Sequence, residues 1–145
     1  MQQLHDFAQA QPRESVPPAK DWHSTIKRGN AHFEVGRYHA ALRWYRHAAA
    51  LVEQCLGDMA LTLPLLLAKV ITLKNAAATC ARLCDETTAD RTYREVHGFL
   101  REIAHYPGQP FNLRASALRQ CRQTLSEWSL FRSGRLDEEA GLTWH

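Results

Sequence analysis

Apolar positions along this chain recur at three- and four-residue intervals, and nowhere do they alternate as a half-buried strand would. The first such segment runs from about Asp21 to Val35, with Trp22, Ile26, Gly29 and Phe33 on one side and Asp21 placed to cap it. Tyr38, Ala41, Leu42, Tyr45, Ala48, Ala49 and Val52 define a second helix, from Tyr38 to about Leu56, closed by Gly57. Pro64 is tolerated only in a first turn. It therefore marks the start of a third helix that continues to about Leu83. Its seam is Leu66, Val70, Leu73, Ala77, Cys80 and Cys84. A fourth helix covers Glu86 to Ala104, with Ala89, Tyr93 and Val96 inward. After a loop from Tyr106 to Asn112 containing Pro107, Gly108 and Pro110, a fifth runs from Leu113 to Arg132, with Leu118, Cys121, Leu125 and Trp128 expected as its buried stripe. The pattern predicts an all-α domain over residues 21–132, between a Pro-containing arm (1–20) and an acidic tail (133–145) that carries Trp144.

The spacing of small and aromatic residues adds more than helix content. Gly29 removes a side chain where two helices would cross, Gly36 can adopt positive φ and end the first helix, and Ala41 and Ala48 let a neighbour approach. Anchored on Gly29, the stretch Gly29–Ala48 resembles a tetratricopeptide repeat, a helix–turn–helix unit of about 34 residues. Gly29, Ala41, Tyr45 and Ala48 fit its signature, and His32 replaces the usual Tyr. Thr25, Arg28 and Glu53 depart from the Trp, Leu and Pro positions. An unrelated helical hairpin, or the three-helix microtubule-interacting and trafficking domain, shares part of this rhythm.

The resemblance implies a right-handed stack of two antiparallel hairpins: residues 21–56, then a degenerate repeat over 58–105, with a capping helix at 113–132. It also implies a concave groove lined by His23, Ile26, Asn30, Phe33 and Glu34, with Asn75 in the place of Asn30 one repeat later. An Asn amide both donates and accepts, so Asn30 and Asn75 suit an extended peptide backbone, or else merely fit a helix crossing. The implied activity is non-enzymatic: an adaptor or chaperone holding a peptide of another protein. A self-associating homodimer and a nucleic-acid-associated regulator are the alternatives.

Composition changes this picture little. The chain has 145 residues and a net charge of +3, too mild to indicate nucleic acid by itself. Arg114, Arg119 and Arg122 give the last helix a basic character suited to an acidic partner. The longest apolar run, Leu65–Ala68, falls short of a membrane span, and residues 1–11 lack a secretory signal pattern, so a soluble cytoplasmic protein is expected. Cys55, Cys80, Cys84 and Cys121 form no C-x2-C knuckle and read as buried small residues. His39 and His47, like His97 and His105, lie two turns apart, about 12 Å, too far for one ion without other ligands. No nucleophile–base pattern accompanies them. Neither metal nor cofactor nor enzymatic activity is expected.

Overall fold

In the computed structural model, residues 20–134 are described, and they form five helices and no strand. These are α1 (Lys20–Glu34), α2 (Tyr38–Asp58), α3 (Leu63–Arg82), α4 (Glu86–His105) and α5 (Phe111–Arg132). They pack in sequence as adjacent antiparallel pairs, the most extensive contacts joining α1 to α2 and α4 to α5. The chain divides into two compact units, with the boundary inside α3 between Thr72 and Leu73. The expectations for the N-terminal arm, and for the tail beyond Gly134 with its Trp144, lie outside the described residues.

In the first unit α1 buries Thr25, Ile26, Asn30 and Phe33. Asp21 sits within the first turn, because the helix already includes Lys20, and its carbonyl accepts from the Thr25 hydroxyl (2.6 Å). It is therefore not the cap that the sequence suggested. At the far end Gly36 takes φ +81°, and Arg37 N–H reaches back to the His32 carbonyl (2.9 Å) while Gly36 N–H reaches Phe33 (3.0 Å). This paired closure satisfies carbonyls that a helix end would leave exposed, and its left-handed residue is where glycine carries no side-chain penalty. The chain reverses into α2, whose buried face is Ala41, Leu42, Tyr45, Ala48, Leu51, Val52 and Cys55. Gly57 lies inside the last turn of α2, which ends one residue later.

Small residues set the α1–α2 distance. A Cβ on Gly29 would come within 2.5 Å of Tyr45 Cε1 and 2.7 Å of Cδ1, so only glycine fits beneath that ring. The Tyr45 hydroxyl donates to Asn30 Oδ1 (2.5 Å), and burial pushes its pKa well above the ordinary value. Farther along, Val52, Cys55, Leu65 and Ala68 form a cluster against which Trp22, Leu56, Met59 and Leu61 pack. Each fully buried Val or Leu contributes about 1.5–3 kcal/mol. Trp22 Nε1 donates to Thr72 Oγ1 (2.7 Å), so this half-buried indole is anchored by its polar end as well as by its ring.

Of the described helices α3 is long and apolar enough to cross a membrane by length and composition, but more than half of that stretch is buried within the protein, as in a core helix. Its seam departs from expectation at one end. Cys84 is exposed and lies beyond the helix at φ +62°. Asp85 N–H bonds back to the Cys80 carbonyl (2.8 Å), which stops α3, while the Asp85 carboxylate accepts from Thr88 N–H (3.2 Å) and starts α4. One residue thus closes one helix and caps the next, and Cys84 is forced into the turn between them. Cys55 and Cys80 are buried, and Cys121 is half-buried.

In the second unit α4 buries Ala89, Tyr93, Val96, Leu100 and Ile103. α5 begins two residues earlier than its apolar pattern indicated. Pro110 stands at its N-cap at φ −60° and its carbonyl accepts from Arg114 N–H (3.1 Å), so Phe111 and Asn112 are already helical.

Candidate interaction surface

The face of α5 that enters the core is not the one its apolar pattern predicts. Leu113, Ser116, Ala117 and Thr124 are buried, whereas Leu118 and Leu125 are 40% and 49% exposed, and Cys121 and Trp128 only half-buried. α4 and α5 pack together, and three of the four buried α5 side chains, Ser116, Ala117 and Thr124, are small, whereas Leu118 and Leu125 point away from that buried face.

Phe111, 75% exposed, precedes Leu118 by seven residues, and Leu125 follows it by seven. The three side chains therefore share one outward stripe spanning about 21 Å of helix. Arg119 and Arg122 are exposed beside the stripe, and Arg114 is half-buried along its other edge. Arg119 Nη2 donates to Ser116 Oγ (3.0 Å), which leaves the rest of its guanidinium to solvent.

Two polar assemblies hold α5 so that this stripe faces outward. Near its C-terminus Asp90 of α4 accepts from Trp128 Nε1 (2.8 Å) and from Arg132 Nε (3.1 Å) through one oxygen, and pairs with Arg94 (3.1 Å) through the other. The Trp128 hydrogen bond, with Arg132 second, holds the Asp90 carboxyl below the usual range. The Arg132 and Arg94 guanidinium carbons lie 4.7 Å and 5.7 Å from the Trp128 ring centroid. Tyr93 and Phe131 pack at 5.5 Å between ring centroids.

The second assembly is inside. Lys74 of α3 is fully buried, and its Nζ lies 2.9 Å from Glu127 Oε1 on the inner side of α5. Burial lowers the Lys74 pKa and raises that of Glu127, and each group's attraction for the other opposes the shift. Glu127 also accepts from Gln123 Nε2 (3.3 Å). Sequence reasoning missed this pair. Its signal was a single charged residue, Lys74, between Val70 and Ala81, where a charge enters a core only with a partner.

The groove residues inferred from the resemblance are placed differently from one another. Ile26, Asn30 and Phe33 are buried, with Asn30 accepting from Tyr45 and the Phe33 ring edge-on to Tyr38 at 5.1 Å. Asn75 is fully buried in the second unit. These four side chains are buried. His23 and Glu34 are exposed. Among the described residues no three His, Cys, Asp or Glu side chains come together as a metal site requires.

The family described as "Protein of unknown function (DUF2753)" matches residues 20–133, and the chain belongs to it. No curated protein and no solved structure matches the chain.

Proposed function

We propose that this member of the DUF2753 family is a non-enzymatic protein-interaction module, an adaptor or chaperone, that presents the outer face of α5 to another protein. The observation that carries the reading is the exposed stripe of Phe111, Leu118 and Leu125, three large apolar side chains in line on one helix. Large apolar side chains left exposed in line on one helix face and flanked by polar groups are the kind of surface that a partner protein covers. The tetratricopeptide-like reading supports the same function. Gly29 beneath Tyr45, and buried Ala41 and Ala48, build the first hairpin in the manner of a scaffold repeat. The four free cysteines suit a reducing compartment such as the cytoplasm. Burial pushes the Cys55 thiol up to about 12, which makes it a packing group and no nucleophile.

Replacing both leucines by serine (Leu118→Ser, Leu125→Ser) tests this reading. Each change at an exposed position is expected to alter stability by no more than about 0.5 kcal/mol. A partner recovered with the wild-type protein from lysate of the native host should be lost with the variant at an almost unchanged melting temperature. Recovery equal to wild type excludes the stripe as the contact surface. A large fall in melting temperature shows instead that the leucines serve the core.

A further inference from the structure

We infer that the outer face of α5 accepts an acidic amphipathic helix of another protein. This deepens the reading of α5 as an interaction surface and rests on it. The first argument is the shape of the stripe. Phe111, Leu118 and Leu125 repeat at seven-residue spacing, which keeps them on one face of α5. One large apolar residue per two turns makes a narrow line that a single partner helix can cover. A helix lying in a membrane surface needs a broad, continuous apolar face to bury in the lipid boundary. Here Ala115, Arg122 and Ser129 occupy the outward positions beside the stripe.

The second argument is charge. α5 carries Arg114, Arg119, Arg122 and Arg132 and a single acidic residue, Glu127. That carboxylate is 16% exposed and turned inward to Lys74, so it does not balance the outer face. Arg132 is paired with Asp90, but among the described residues neither Arg119 nor Arg122 has a carboxylate partner. A second copy of α5 laid on this face would oppose arginine to arginine, and like charges across an interface are unfavourable. A helix with Leu or Ile along its own seam and Asp or Glu on both flanks fills the stripe and pairs with Arg119 and Arg122. Such flanking pairs set partner choice and orientation in helix–helix recognition. The contact is small, so the complex belongs to the weak, transient class.

The probe is a synthetic helix of about three heptads with Leu at the seam and Glu on both flanks, compared with the same peptide carrying Lys in place of Glu. The whole protein should bind the Glu peptide at least about tenfold more tightly than the Lys peptide, and added salt should weaken that binding. Leu118→Ser with Leu125→Ser should reduce affinity by about tenfold or more, the loss expected for seam anchors. Arg119→Glu with Arg122→Glu should invert the preference between the peptides. Equal affinity for both peptides, or no binding of the Glu peptide, overturns the inference. So does binding confined to anionic vesicles or RNA, or dimerisation of the protein abolished by the leucine substitutions. If the inference fails while a host protein is still lost with the leucine variant, the fault lies in the partner's chemistry and not in the interaction surface.

Discussion

Lys74→Ala is expected to destabilise the protein by about 3–5 kcal/mol, the largest effect of any single substitution considered. The lysine contributes little by attraction alone, since bringing two charges out of water offsets most of their mutual gain. Its removal is costly because Glu127, 2.9 Å away and 16% exposed, is then left on the inner side of α5 without its counter-charge. Burial already raises the Glu127 pKa, and in the variant nothing from Lys74 opposes that shift. The folded carboxyl then holds its proton to higher pH than the unfolded one, so unfolding releases a proton and stability falls as pH rises through that interval. The cost should accordingly be smaller in acid, where Glu127 is neutral, than at neutral pH. Urea unfolding of wild type and variant across that range measures it. Replacing the pair together, Lys74→Met with Glu127→Leu, should restore most of the loss. A double variant as unstable as Lys74→Ala would show that the pair is not the source of the effect.

Gly29→Ala is expected to cost about 1–3 kcal/mol, although alanine is the better helix former. On an exposed helix the same change would stabilise. Here the added methyl would stand 2.5 Å from Tyr45 Cε1 and 3.1 Å from Cζ, closer than carbon atoms approach. Tyr45 cannot swing aside easily, because its ring is fully buried and its hydroxyl is held by Asn30. The alternative is for α1 and α2 to move apart, which weakens the packing of Phe33 and Ile26 as well. Thermal unfolding gives the comparison, and a melting temperature at or above that of wild type would contradict the crossing geometry.

Much of the fold was legible because helix formation is written in periodicity. The turn at Gly36 and the crossing at Gly29 each needed a residue with no side chain, and each was visible as an isolated glycine in a helical pattern. The end of α3 was less legible. Cys84 continues the seven-residue seam in sequence, but the bonds from Asp85 stop the helix first. α5 was misread for a physical reason: it has two usable faces. Hydrophobicity favours the one with Leu118 and Leu125, and close packing favours the one with Ser116, Ala117 and Thr124. Packing against α4 decided between them, and which face meets a neighbouring helix is not written in the periodicity of α5 itself. The candidate site was legible only in part. Arg119 and Arg122 stand out as basic groups on the last helix, whereas the periodicity places Leu118 and Leu125 in the interior and Phe111 in a loop. Asn30 carries a signal that fits either a ligand or a crossing, and in the folded chain its amide oxygen accepts from the Tyr45 hydroxyl.

If the outer face of α5 is where another protein binds, site-specific photo-crosslinking in the native host will capture that protein there. A photoreactive residue would be placed at Leu118 and, in a separate sample, at Arg43 on the exposed side of α2. The account predicts a discrete protein adduct from position 118 and none from position 43. An adduct from position 43 with none from position 118 would contradict it and move the interface to the first hairpin.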